Sequence, residues 1–335
     1  MMDISEATSR FSGKRIAIIG DLVADQFLNG TISRVSREAP VFILRHENTV
    51  TLPGAAANAA ANVASLGATP ILFGAVGTDN SGSHLTRALE ENRVATDYVI
   101  SDPGLTTTTK IRVLAGQHYA ARQQVIRIDY ENSGGLSQAA RERLLAAIAD
   151  TANTIDAFVI SDYGYGVVSE EIYEKASEIA RRREIPIVVD SRYHLGNFAG
   201  ATAATPNREE VEQIAGEDFT RQDCHDLREQ LGFSALLVTN GNKGMSLFQA
   251  SDDPLDICAV GSPEPVDVTG AGDTVIAAFT LSLASGLNFA DAARVANHAG
   301  GIVVMKKGTA TVTRDELLAS IPDTSSASAT KTAIQ

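Results

Sequence analysis

The chain contains no tryptophan, and aromatic residues make up only 5% of its 335 positions. Its core must therefore be built from aliphatic side chains and alanine, which is feasible because 44% of the residues are apolar. Cysteine is scarce as well: Cys224 and Cys258 are the whole complement, too few for a disulfide framework. Long apolar runs are missing. None approaches the ~20 residues that a membrane-spanning helix requires, and the N-terminal MMDISEATSRFSGKR has no signal-peptide core. Positive charge is in deficit, with 28 Lys and Arg against 41 Asp and Glu for a net charge of −13. That balance argues against nucleic acid or an anionic membrane as partner. A soluble, cytoplasmic protein is expected, in which any phosphate-bearing ligand depends on helix N-termini or a few placed cations.

What is present is a regular alternation. Apolar runs at 15–21, 70–77, 156–162, 185–190 and 235–240 suit buried parallel strands. Helical stretches at 81–93, 137–152, 169–183, 208–215 and 221–231 lie between them. This order predicts an α/β fold with a doubly wound, mostly parallel sheet flanked by helices. Ligands gather beyond the carboxyl ends of such strands, where this chain places Asp21, Asp162, Asp190 and Asn240. Two Thr-, Val- and Ile-rich stretches, 39–54 and 106–131, break the alternation and read as β-hairpins. They would form a small β-sheet over the ligand edge, drawn from about 27–52 and 106–131; decorated surface loops are the alternative. One domain over 1–322 is expected, with a disordered polar tail at 323–335.

The chemistry concentrates in DVTGAGDT, residues 267–274. After a strand-like LDICAV at 255–260, the chain turns through Gly270, Ala271 and Gly272 and enters a helix near Asp273. Small residues let backbone N–H groups approach a ligand, and the helix N-terminus adds partial positive charge at the same point. Together they make an anion hole suited to a transferring phosphoryl group, with Asp273 placed to accept a proton from an attacking hydroxyl. The same helix end should lower the pKa of Asp273 and weaken it as a base. An ordinary helix cap remains the other explanation.

Other motifs are weaker alone. In PNREE, Asn207 and Glu210 can face one side of a starting helix and hold hydrated Mg²⁺, or simply begin that helix. The small-sided LPGAAANAAANVASLGA places Asn58 in the first turns of a helix that packs closely against backbone or ligand. GDLVAD offers Asp21 and Asp25 as acceptors for sugar hydroxyls, or as turn caps. Neither a P-loop nor a strand followed by G-x-G-x-x-G is present.

These motifs, in this order, resemble the ribokinase-like (PfkB) carbohydrate kinases. DVTGAGDT is similar to their C-terminal signature, PGAAANAAANVASLGA to their N-terminal one, and PNREE to their N-x-x-E motif. SREAPVFILRHE, TKIRVL with QQVIRIDYE, ISDYG and GIVVMKKGTATVT resemble the subfamily acting on D-glycero-β-D-manno-heptose 7-phosphate at its 1-position, over residues 12–321. The resemblance implies a sugar kinase that uses ATP and Mg²⁺, and leaves dependence on a monovalent cation such as K⁺ open. Asp273 would be the base, and the backbone of Gly270, Ala271 and Gly272 the anion hole. Asn207 and Glu210 would serve phosphate and Mg²⁺. Asp21, Asp25, Gly54 and Asn58 would bind sugar, and Thr239, Gly241 and Asn297 the nucleotide. Lys110, Arg112 and Arg127 of the second hairpin would meet a phosphate already on the substrate.

Three departures matter. Ala55 stands where the heptose kinases read PGGAAN, Tyr165 stands where they carry a cation, and no nucleotidyltransferase segment follows residue 323. Another acceptor, such as fructose 6-phosphate, ribose or a nucleoside, is therefore the competing expectation. A non-catalytic sugar- or nucleotide-binding regulator is the reading from another class. Exposed strand edges on the small sheet lead us to expect a homodimer joined through it.

Overall fold

The computed structural model describes residues 4–117, 122–132, 134–250 and 253–321; the tail expected at 323–335 lies outside the described residues. In chain order the elements are α1 (Ile4–Ser9), β1 (Arg15–Gly20), β2 (Leu22–Val35), β3 (Phe42–Ala55), α2 (Ala56–Ser65), β4 (Thr69–Val76), α3 (Asn80–Glu91) and β5 (Val99–Ser101). Next come β6 (Thr109–Gly116), β7 (Gln123–Tyr130), α4 (Gln138–Thr151), β8 (Ala157–Asp162), α5 (Glu170–Arg183), β9 (Ile187–Ser191), β10 (Ala203–Ala204) and α6 (Arg208–Ala215). The last group is α7 (Arg221–Gln230), β11 (Ala235–Thr239), β12 (Met245–Gln249), β13 (Leu255–Ile257), α8 (Ala271–Ala284), α9 (Phe289–Val303) and α10 (Arg314–Ser320).

Nine strands form one sheet in the order β13-β12-β11-β10-β9-β8-β1-β4-β5. All neighbours run parallel except β12 and β13, which add an antiparallel edge. The central strand RIAIIG shows why the sheet is buried on both faces. Ile16 and Ile18 enter the core under α2, α8 and α9, whereas Ala17 and Ile19 enter the core under α4 and α5. Apolar side chains at every position serve both layers at once. Helix α8 is buried from Asp273 through Ser282, which suits a helix packed on all sides.

A second sheet has the order β3-β2-β6-β7. The chain crosses into it at Asp21, so Asp25 lies on β2 and not at the end of the first strand. The stretch 39–54 is one arm, paired antiparallel along its length with β2, and is not a hairpin in itself. The first part of β2, LVADQF, is mostly buried against the main body and so lacks the polar alternation of an exposed strand. The stretch 106–131 does contain a hairpin, β6 with β7. The strand expected at 255–260 stops at Ile257.

Candidate active site

Helix α8 opens on Gly270, whose φ of +78° is costly for any residue with a Cβ. A Cβ there would also collide with Asn58 Nδ2. The first-turn N–H groups have no acceptor within the helix. Ala271 N–H turns back to the Val268 carbonyl at 3.2 Å, so of the expected trio it is already engaged. Gly272 is exposed on a cleft that Ala271, Thr239, Gly241 and Asn297 also line. This cleft lies between α8, α9 and the ends of β11 and β12. Asn297 Nδ2 is held by the Cys258 carbonyl at 2.8 Å, fastening the far wall.

Asp273 sits in the first turn of α8 and is only 2% exposed. Its Oδ2 accepts from Asn58 Nδ2 at 2.9 Å and its Oδ1 from the Tyr163 hydroxyl at 2.8 Å. Burial pushes its pKa up to about 7, against the two hydrogen bonds that favour the ionised form. The lowering expected from the helix end is thus outweighed by desolvation. A carboxylate that titrates near neutrality is matched to a general base.

Asn58 is fully buried and its amide is committed to Asp273 and Gly270, with Asn62 Nδ2 supporting its Oδ1 at 3.3 Å. Asn58 therefore meets Asp273, not an open sugar pocket. Asp21 behaves likewise. Its two oxygens accept the N–H groups of Tyr163, Tyr165 and Val167 at 2.8–3.0 Å, which is the turn-capping alternative. Burial raises its pKa to about 6 despite those three bonds. Asp25 pairs with Arg112, both nearly buried, and Gly54 backs onto the same carboxylate. Burial raises Asp25, opposed by Arg112. Arg112 is consequently engaged within the second sheet, and Arg127 reaches Asp129 at 2.9 Å. Lys110 lies 5.7 Å from the centre of the Tyr165 ring, and burial together with Arg192 lowers its pKa.

Asn207 and Glu210 form a reciprocal capping box on α6: Glu210 N–H donates to Asn207 Oδ1 at 2.9 Å, and Asn207 N–H to Glu210 Oε2 at 2.8 Å. That is the structural alternative, yet it does not exhaust Glu210. Its pKa is raised by burial, and burial with the charges of Glu210 and Asp273 lifts Asp190 well above the carboxylate range. Neighbouring buried carboxylates of this kind are what a divalent cation relieves. Glu210 with Asn207 fits a mostly hydrated Mg²⁺, which takes few protein ligands. Among the described residues no cluster of three or more potential metal ligands occurs.

Sequence reasoning missed Tyr163, Asn62 and the role of Asp190. Asp190 had been marked only as a strand end, and Tyr163 was visible within ISDYG, but nothing local reveals a hydrogen bond to a residue 110 positions away.

Residues 14–316 match the family described as pfkB family carbohydrate kinase. The chain is 40% identical over 313 residues to the D-beta-D-heptose 7-phosphate kinase of Bordetella bronchiseptica, covering 92% of this chain and 96% of that one. It is 39% identical over 310 residues to the Bifunctional protein HldE of Gluconobacter oxydans, covering 90% of this chain but only 63% of the relative. It thus spans somewhat under two thirds of that bifunctional protein. Among solved structures, phosphofructokinase-2 from Escherichia coli in complex with potassium superposes with a TM-score of 0.73 at 18% identity, over 92% of this chain and 97% of that one. Arabidopsis thaliana ribokinase complexed with ribose and ATP gives 0.68 at 20%, over 92% and 98%. The fold is ribokinase-like, and the chain belongs to the pfkB family of carbohydrate kinases.

Proposed function

We propose that this carbohydrate kinase transfers the γ-phosphate of ATP, with Mg²⁺, to the 1-hydroxyl of D-glycero-β-D-manno-heptose 7-phosphate. The observation that carries the chemistry is Asp273, a buried carboxylate with a pKa of about 7, next to the exposed Gly272 at the start of α8. The acceptor hydroxyl gives its proton to Asp273 and attacks the γ-phosphorus in line, while the leaving ADP oxygen takes up the displaced charge. The N–H groups at the start of α8 face the negative charge of the transferring group. Thr239, Gly241 and Asn297 line the nucleotide side. Asn207 and Glu210 would hold Mg²⁺ through water, and Mg²⁺ would supply charge neutralisation on the phosphates.

The second sheet acts as a lid that excludes water from the transfer. Its solvent-facing residues include Phe42, Val125, Ile126, Ile128 and Tyr130. These support a homodimer joined lid to lid, which light scattering after size-exclusion chromatography would test. Cytoplasmic placement and any use of K⁺ belong to the same reading; a K⁺-for-Na⁺ exchange in the assay tests the latter.

The heptose assignment rests on the 40% identity to the Bordetella bronchiseptica kinase. An unphosphorylated or differently phosphorylated sugar is the second reading. It is favoured by the engagement of Arg112 and Arg127 in ion pairs and by the Tyr165 hydroxyl donating to Glu131 at 3.1 Å. ADP release with heptose 7-phosphate, unphosphorylated heptose and fructose 6-phosphate decides between them. Selective turnover of heptose 7-phosphate supports the first reading, and preference for either other sugar overturns it.

A further inference from the structure

The loop after β8 carries Tyr163 to Asp273, and its construction is unusual. Gly164 and Gly166 adopt φ of +78° and +91°. That lets alternate N–H groups, at Tyr163, Tyr165 and Val167, point to one carboxylate. That carboxylate is Asp21, 1% exposed at the crossing between the two sheets. Asp162 Oδ1 takes the remaining Gly164 N–H at 3.0 Å and its Oδ2 takes the Ser191 hydroxyl at 2.7 Å. A Cβ on Gly166 would come within 2.6 Å of Gly135 Cα, so the loop is also wedged from behind. Four backbone donors on two buried acids fix a segment that belongs to no helix or strand, and its payload is a single hydroxyl.

We propose that Tyr163 is a positioning residue for Asp273: held by the Asp21-fastened loop, its hydroxyl orients the carboxylate and keeps it ionised for proton acceptance. This rests on the reading of Asp273 as the base. Tyr163 and Asn58 grip different oxygens of Asp273 from different elements, which sets the carboxylate plane. Each oxygen keeps a further lone pair for the acceptor hydroxyl. Burial, with the charges of Asp273 and Asp190, holds the Tyr163 phenol well above its usual pKa, so it stays a neutral donor throughout the working range.

The groups that face this pair can be named. Asn58 comes from α2, Asp25 from β2, Lys110 from β6 and Asp190 from β9, with Glu210 of α6 acting on Tyr163 at longer range. Asp25 and Asp190 oppose ionisation of Asp273, while Lys110 and Asn58 favour it. Tyr163 stands with the second group. Unlike Lys110, it donates a directed hydrogen bond to the carboxylate itself.

The experiment is the pH profile of kcat/KM for ATP-dependent phosphorylation by the full chain and its Tyr163→Phe variant. Phe keeps the ring and removes only the donor. A hydrogen bond to a charged group is worth enough to move the acid limb up by about one pH unit. Turnover should fall roughly fivefold at pH 7 and about tenfold below pH 6, recover toward the parent at high pH, and leave the KM for ATP unchanged. A limb that stays in place, whether or not overall activity drops, overturns the proposal and makes Tyr163 a packing residue.

Should Tyr163→Phe fail to fold, a fluorinated tyrosine incorporated at the tyrosine positions, including 163, serves instead. As a stronger donor it should move the limb down, and an unmoved limb again overturns the idea. Asp273→Asn runs alongside. Near-normal turnover in that variant sinks the base assignment itself, whereas a dead Asp273→Asn with an unmoved Tyr163→Phe limb sinks only the role of Tyr163.

Discussion

Asn58 Nδ2 lies 2.9 Å from Asp273 Oδ2 and 3.3 Å from the Gly270 carbonyl, so one amide joins the N-terminal signature helix to the turn and carboxylate of the C-terminal one. The two motifs lie more than 200 residues apart in sequence and act here as a single unit. Asn58→Asp is nearly isosteric but places a second carboxylate against Asp273 in a buried site. Two acids in such contact share a proton, and one pKa rises strongly. Turnover at pH 7 should fall at least ~10-fold, with partial recovery as pH rises. A pH–rate series checks this, and parent-like turnover at pH 7 would show that the amide does not control Asp273.

The pair of Asp25 and Arg112 makes a prediction about stability. Their side chains are 6% and 10% exposed, and Arg112 also lies over the Phe27 ring at 5.3 Å. Removing one partner strands the other charge in a desolvated place. Arg112→Ala should therefore cost about 3–5 kcal/mol in urea unfolding. The double variant Asp25→Asn with Arg112→Met should recover much of that loss, because no unpaired charge remains. A loss below about 1 kcal/mol for Arg112→Ala would mean that the pair is effectively solvated.

Ala55 marks a local conflict. Its φ of 55° and ψ of −130° fall where side chains are disfavoured, at the residue that leads into α2. The residue is buried, so the methyl contributes some packing. Relief of backbone strain is the larger effect, and Ala55→Gly should stabilise the protein by about 1 kcal/mol. A rise of about 2 °C in Tm is the expected reading. An unchanged or lower Tm would show that the methyl contact outweighs the strain.

Much of the fold was legible because strands such as RIAIIG are apolar at every position, which signals burial on both faces. Only the start of β2 escaped the small sheet expected from about residue 27, because the strand serves two bodies: LVADQF is mostly buried against the main sheet, while its distal end is solvent-facing. At the site, Asp273 and the glycine turn were readable from local spacing. The partners of Asp21, Asp25 and Asn58 were not, since each partner arrives from a distant segment. In sequence those residues read as acceptors open to sugar hydroxyls, because nothing local marks a polar side chain as already partnered. Here three backbone N–H groups, an arginine and a second carboxylate had already claimed them.

Asp273 also ties stability to pH. An unfolded aspartate titrates near 3.8, while the folded carboxyl holds its proton up to about 7. Between those values the folded state binds more protons, so stability falls as pH rises. The contribution is full below pH 4 and gone above pH 7. Asp21, raised to about 6, acts in the same direction over a narrower window. Asp273→Asn removes one of these slopes. Its new amide meets donors from both Asn58 and Tyr163, which adds a cost that does not vary with pH. The informative quantity is therefore the change with pH and not the offset. From pH 4 to pH 8 the variant should gain on the parent by roughly 3–4 kcal/mol, at about 1.4 kcal/mol per pH unit. Urea unfolding of both proteins across that range reads it directly. Parallel stability curves would mean that Asp273 titrates as an ordinary exposed carboxylate, and burial would then not be what prepares it to accept a proton.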